Sequence, residues 1–346
     1  MVPRGSPPPL PGGEMSHSGV WFDGDLRLPW PLLMSCGGVM RRVQYERSGG
    51  PEVLEVVAVE VPTPGPGELL VRVEAIGVTL PVVRKVREQR EPIALGGEIA
   101  GEVVAVGEGV TGYQPGYRVT GLVFGHGYAD YALLSAAMAS PIPDGGSAVD
   151  AVALVRSGLV ALGALDAAQP KDGESALITA AASGVGHLAV QLARLRGAAR
   201  VVGAVSDLAK AEFVRDLGAD EVVEYGQESW GTPVDYALDA VGGDLLGPAI
   251  TAVAPGGRLV AYSSGGGTIQ AYDLLVGAKS VIGFQVARIA QGQPDLFDHW
   301  RQELWQFLAS GLLRPVVHAE FALDDAVAAH RVIEGRANLG KVVLVP

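Results

Sequence analysis

Residues 177–195 read LITAAASGVGHLAVQLARL, and few folds can accommodate that order of residues. A short apolar strand-former, LIT, passes through small residues into a segment whose apolar side chains recur at helical spacing. RVVGAVS then follows at 200–206, another strand-forming run. Strand, tight turn, helix and strand is the repeating unit of a parallel sheet wrapped by crossover helices. The unit repeats downstream: a helix is expected over 207–217, strands over 221–224 and 236–239, a helix near 245–254 and a strand over 258–262. This part of the chain is therefore expected to be a doubly wound nucleotide-binding domain.

The sequence on either side has a different character. From Met40 to about 140, β-branched runs at 53–61, 69–78, 99–106 and 118–124 are separated by Gly and Pro clusters such as PTPGPGE, which predicts a β-rich barrel or sandwich. Beyond 280 the pattern predicts a strand over 281–286, an amphipathic helix over 297–310, the run 312–321, a helix over 324–334 and a closing strand over 341–345. At 346 residues the chain exceeds one ordinary core. A β-rich region interrupted by a nucleotide domain places the site in the cleft between them. Val2-Pro3-Arg4-Gly5-Ser6 looks like the remnant of a thrombin-cleavage tag and PPPLPGG follows it, so residues 1–39 are expected to be an extension outside the fold.

Composition removes several classes of function. With 38 acidic against 26 basic residues the net charge is −12, which repels a nucleic-acid backbone. No run reaches the roughly 18 uninterrupted apolar residues of a membrane span, so no membrane is expected as a partner. The single cysteine, Cys36, excludes an internal disulfide and any metal site built from several cysteines, and cytoplasmic residence is expected.

The turn at 180–186 is a candidate phosphate cradle. The usual fingerprint GxGxxG lets backbone approach a pyrophosphate at a helix N-terminus. Here its three positions hold Ala181, Ser183 and Gly186. Ala182, Ser183, Gly184, Val185 and Gly186 are the candidate contacts. The end of the next strand chooses the dinucleotide. An NAD site carries an acid there to accept the ribose 2′-hydroxyl, whereas Val205 stands at that position. Ser206 can bond a 2′-phosphate and Lys210, one turn into the following helix, can pair with it. Asp207 between them suits a phosphate only if it points to solvent or caps the helix. NADPH is the expected cofactor.

GGPEVLEV (49–56), PGPGELLVRVEAIGV (64–78), GGEIAGEVVAVGEGV (96–110), GYADY (127–131), AAASGVGHLAVQLAR (180–194), the segment 206–225 and the ending GRANLGKVVLVP together resemble the medium-chain dehydrogenase/reductase superfamily. Within it, the resemblance is to the zinc-free quinone oxidoreductase and enoyl reductase branch. It covers Met40 to Pro346 and implies an α/β fold: a GroES-like β-rich catalytic domain (40–158 and 301–346) with an inserted Rossmann domain (159–300), usually a homodimer. It further implies that Ser206, Lys210 and Tyr225 hold the NADPH 2′-phosphate, that Arg336 reaches the same end, and that Val241, Tyr262, Phe284 and Val286 lie along the cofactor.

Zinc-dependent relatives carry Gly-His-Glu and a ligand cysteine, whereas this chain reads Gly96-Gly97-Glu98 with no cysteine after Met40, so no metal is expected. Without a Lewis acid the favoured chemistry is hydride addition to a conjugated acceptor, a quinone or an α,β-unsaturated carbonyl or thioester. The alternative is a member that binds NADPH but has a non-redox or structural role. Many relatives have Asn, an aromatic and then Asp or Tyr where this chain reads Thr79-Leu80-Pro81-Val82-Val83-Arg84, and a Thr where Val160 stands. Thr79, Arg84 and Tyr262 are the candidate catalytic residues, with Tyr128, His126 or water as further proton donors. Arg84, Lys85, Arg87 and Arg90 fall where relatives have a substrate-side loop, as either a surface charge run or an attractor for an acidic substrate. His187, Trp300 and Trp305 are expected to pack.

Overall fold

The computed structural model describes residues 38–346 apart from Arg90, Ser263 and Ser264. The expectation for the extension, Cys36 included, falls almost wholly outside these residues, and the first strand begins at Val39.

The chain opens with a hairpin of β1 (Val39–Gln44) and β2 (Glu55–Glu60). β3 (Glu68–Val78), the short helix α1 (Leu80–Glu88), β4 (Gly97–Val106), β5 (Arg118–Val123), β6 (Tyr131–Ser135) and β7 (Ala139–Pro141) follow. A long helix, α2 (Ala148–Ala168), leads to β8 (Ser175–Thr179), α3 (Gly186–Leu195), β9 (Arg200–Val205), α4 (Ala211–Asp216), β10 (Glu221–Glu224), β11 (Val234–Asp239), α5 (Leu246–Thr251), β12 (Val253–Ala261), α6 (Ala271–Gly277) and β13 (Ser280–Gly283). The chain ends with α7 (Val286–Gly292), α8 (Pro294–Ala309), β14 (Val317–Ala322), α9 (Ala326–Glu334) and β15 (Lys341–Val345).

Strands β8 to β13 form a six-stranded parallel sheet in the order β10-β9-β8-β11-β12-β13. The order reverses between β8 and β11, so their carboxyl ends open a crevice where a doubly wound sheet takes its ligand. The other large sheet runs β14-β15-β3-β4-β5-β7, with β6 also paired to β3. Its last strand, β15, lies antiparallel to β3 with Val342 opposite Val78 and Val343 opposite Gly77. The C-terminus thus returns to the GroES-like sheet, as the fold class requires.

Helix α2 joins the two sheets. Ser147 caps it by accepting the Asp150 N–H, and Gln169 ends it in the left-handed region at φ 51°. At 21 residues with a mean hydropathy of 1.7 it matches a membrane span in length and composition, but 83% of the relevant window is buried within the fold. It packs on β3, β4 and β5 on one side and on α3 and α8 on the other. The expected domain boundaries at 158/159 and 300/301 fall inside α2 and α8, because a continuous helix shows no break in its pattern where its neighbours change.

Two local expectations are corrected. Leu80–Glu88, which holds Arg84, Lys85 and Arg87 where the resemblance implied a loop, is a helix: Thr79 is at its N-cap, Pro81 lies in its first turn, and Val82, Val83 and Val86 are buried. Valines at helical spacing are weak helix formers, which masked the signal. The strand expected over 281–286 ends at Gly283, and Val286 begins α7. Trp300 and Trp305 do pack, their indole N–H groups donating to Asp166 Oδ2 at 2.7 Å and Ser140 Oγ at 3.0 Å.

Candidate active site

A cleft of about 720 Å³ lies where the carboxyl end of the parallel sheet meets the GroES-like sheet. Its first wall is the turn between β8 and α3. Ala180 adopts φ 49°, and at Gly186 an added Cβ would lie 2.0 Å from the Ala180 carbonyl oxygen, so only glycine permits the approach. Ser183 Oγ accepts the Gly186 N–H at 3.0 Å. Across the cleft, Gly340 donates its N–H to the Ala182 carbonyl at 2.8 Å, tying the turn to the chain just before β15. Ala182, Ser183, Gly184 and Val185 line the cleft, while Gly186 lies behind it as the close-approach residue.

Tyr225 has a role that the sequence did not suggest. Its hydroxyl accepts the Ala180 N–H at 2.9 Å, fixing the start of the turn. Burial pushes the phenol up to about 12, so it stays protonated. Tyr225 also lines the cleft with Ser206, Lys210 and Arg336. Lys210 Nζ lies 3.3 Å from Ser206 Oγ and donates to the Arg336 carbonyl. Burial lowers the Lys210 ammonium pKa, Asp207 opposes this, and Arg336 adds to the fall. Two cations facing one pocket favour an anion between them. Asp207 turns away and caps the short turn at 208–210 by accepting the Ala209 N–H at 2.8 Å. This corner has the donors and charge that a 2′-phosphate needs, which is the structural test that NADPH passes.

Along the far wall, Asp239 is fully buried at the end of β11. It accepts from Thr179 Oγ1 at 2.9 Å and from the N–H groups of Val241 and Gly242 at 3.2 and 2.9 Å. These bonds set the turn that brings Val241 to the cleft, where Tyr262, Phe284 and Val286 also stand. The Tyr262 hydroxyl is buried without a partner among the described residues, and burial, with Asp239 nearby, raises its pKa above the usual tyrosine range. That makes it a poor proton donor and a good fixed dipole.

Thr79 and Arg84 line the cleft on the GroES side. Tyr128 does not: it is fully buried beside His330 in the β-rich core. His126 is likewise absent from the lining. Arg87 is paired with Glu334 at 2.8 Å, Lys85 is exposed at the mouth, and Arg90 lies outside the described residues. His187 packs as expected: Nδ1 bonds the Ser183 carbonyl at 2.9 Å and Nε2 accepts the Val316 N–H at 3.0 Å.

A further group escaped sequence reasoning. Lys341, Arg156 and Ser157 line the cleft, and Glu98 sits behind them, ion-paired to Lys341 Nζ and to Arg156 Nε, the latter at 3.3 Å. The available signal was a polar pair, Arg156-Ser157, inside the apolar helix AVALVRSGLVALGAL, and a lysine opening the apolar strand KVVLV. Among the described residues, no three His, Cys, Asp or Glu side chains converge as metal ligands.

Two family models match the chain: an alcohol dehydrogenase GroES-like domain over residues 65–144 and a zinc-binding dehydrogenase over residues 217–344. A quinone oxidoreductase of Pseudomonas aeruginosa is 32% identical over 327 residues, covering 88% of this chain and 99% of its own length. A 2-haloacrylate reductase of a Burkholderia species is 31% identical, covering 89% of this chain and 99% of its own. The crystal structure of the Escherichia coli quinone oxidoreductase complexed with NADPH superposes with a TM-score of 0.81 at 28% identity, covering 88% of this chain and all of that one.

Proposed function

The chain belongs to the medium-chain dehydrogenase/reductase superfamily, in its zinc-free quinone oxidoreductase branch, and on that premise we propose that it is an NADPH-dependent oxidoreductase that reduces a conjugated acceptor, a quinone or an α,β-unsaturated carbonyl compound. The observation that carries the reading is the corner made by Ser206, Lys210 and Arg336, where an NAD-type acid is replaced by two cations and a hydroxyl.

NADPH, when bound, supplies the hydride. Ser206 and Lys210 hold the 2′-phosphate, with Tyr225 and Arg336 completing that end of the cleft. The turn from Ala182 to Gly186 presents backbone and the helix N-terminus to the pyrophosphate. Val241, Tyr262, Phe284 and Val286 shape the slot for the reacting end, and apolar walls exclude water from it. Thr79 and Arg84 face the acceptor. The buried Tyr262 phenol keeps its proton, so the proton that completes the reduction comes from water.

Two finer features belong to the same reading. β13 is an edge strand of the parallel sheet, and beside it Tyr272, Leu275 and Val276 are 72%, 75% and 69% exposed. An open edge with an apolar patch supports a homodimer built through this face. Use of the free NADPH pool supports residence in the cytoplasm. Oxidation of NADPH followed by absorbance, with a panel of quinones, enones and enoyl thioesters, tests the function. Turnover with at least one class is expected, and tight NADPH binding without turnover on any would sink the reductase reading in favour of a non-redox role.

A further inference from the structure

The floor of the cleft carries a charge arrangement outside the residues assigned above to the cofactor. Glu98 extends over Gly77, where an added Cβ would lie 2.3 Å from Glu98 Oε1. Gly77 and Glu98 are opposite one another on β3 and β4, and Val343 pairs with Gly77, so Lys341, two residues before Val343, points to the same face. Helix α2 covers that face and contributes Arg156. The result is a carboxylate 1% exposed, gripped by two cations. Its orientation is what matters: Lys341 and Arg156 line the cleft, and Glu98 does not. With Lys341 protonated, two positive charges against one negative leave a net cation facing the cavity; burial lowers the Lys341 pKa to about 7, so that net charge is complete only below neutral pH.

Two hydroxyls stand beside them. Thr79 Oγ1 and Ser157 Oγ are buried without a partner among the described residues, and both residues line the cleft. A Cβ added at Gly184 would lie 3.3 Å from Lys341 Cδ and 3.8 Å from Ser157 Oγ, and one added at Gly97 would lie 3.9 Å from Thr79 Oγ1. Buried hydroxyls without acceptors are expensive unless a ligand supplies one. Burial lowers the pKa of both Lys341 and Arg156, a sign of poorly solvated cations that gain much from an anion brought against them.

We propose that Arg156, Lys341, Ser157 and Thr79 form an oxyanion-binding pocket, which receives the oxygen of the conjugated acceptor as it becomes negative. The proposal rests on the reductase reading. Hydride adds to the β-carbon, the π electrons shift to the carbonyl, and its oxygen becomes an enolate or hydroquinone anion. Water then protonates the product. The pocket supplies by fixed charge and hydroxyl dipoles the stabilisation that a Lewis acid would otherwise give, without reorganisation during the reaction. Arg156 and Ser157 lie one turn before Val160, the position at which relatives carry threonine.

The test uses 4-nitrophenol, whose anion has its own absorption band, bound to the protein without cofactor. The pocket should raise the bound phenolate-to-phenol ratio about tenfold over free solution. Arg156→Met removes the net charge yet leaves Lys341 and Glu98 paired, so no buried charge is orphaned; it should return the ratio to the free value, whereas Arg156→Lys keeps it. Ser157→Ala should lower it severalfold. Binding of 4-nitroanisole, which cannot ionise, should be the same in all four proteins. An unshifted phenol at saturation, or an Arg156→Met protein with wild-type phenolate preference, overturns the pocket. Phenolate stabilisation without turnover on any acceptor overturns the reductase reading and leaves the pocket standing.

Discussion

On the proposed assignment, replacing Lys210 with alanine isolates the interaction that separates NADPH from NADH. Lys210 is half-buried, and its Nζ is held between Ser206 Oγ and the Arg336 carbonyl. A charge-assisted hydrogen bond from that ammonium to a 2′-phosphate contributes about 1.5 to 3 kcal/mol. Its loss corresponds to a roughly 12- to 160-fold weaker Kd for NADPH. Partial exposure screens the charge and places the expectation toward the lower end of that range. NADH has no phosphate at this point, so its affinity should change by less than about twofold. The fold should be unaffected, because the Arg336 carbonyl can turn to water and alanine suits the start of α4. Isothermal titration of both cofactors against wild type and Lys210→Ala, at low and moderate salt, reads the effect. Equal losses for NADPH and NADH would refute the assignment of Lys210 to the phosphate, and so would an NADPH loss insensitive to salt.

Tyr225→Phe removes the acceptor of the Ala180 N–H and should cost about 1 to 3 kcal/mol in urea unfolding, with weaker NADPH binding; an unchanged unfolding midpoint would show that the phenol does not hold the turn. His187 is buried with its pKa lowered to about 4, and its protonation would set a new N–H against the Val316 N–H. A depressed native pKa means that the unfolded state binds the proton first. The stability is therefore complete above about pH 6.5 and is lost as pH falls toward 4, by up to about 1.4 kcal/mol per pH unit. His187→Gln should flatten that slope in denaturant titrations at pH 7.5 and 4.5, and an unaltered slope would assign the acid sensitivity elsewhere. The double variant Leu275→Glu/Val276→Glu should convert a dimer to a monomer in light scattering after gel filtration, and a monomeric wild-type protein would remove the homodimer from the proposal.

The strand–turn–helix order at 177–195 was enough to set the parallel sheet, because apolar periodicity and small turn residues are local properties of the chain. The same holds for the 2′-phosphate corner: Ser206 and Lys210 follow β9 at fixed spacing, so their proximity is set by one turn of chain. Helix α1 was hidden because valines report burial before they report helix. Arg336 and Tyr225 were named from resemblance, yet only the structure gave Tyr225 its second task of holding the Ala180 N–H.

The floor of the cleft lay beyond sequence reasoning for a plain reason. Glu98, Arg156 and Lys341 come from β4, α2 and β15, and nothing local makes them neighbours. Their meeting depends on β15 returning beside β3 and on α2 covering the face that Gly77 leaves open. The sequence alone determined the parallel sheet and set Ser206 beside Lys210 after β9, because those are written in short-range spacing. The tertiary structure decided how the floor of the cleft is charged, because that charge is assembled across the 242 residues of chain between Glu98 and Lys341.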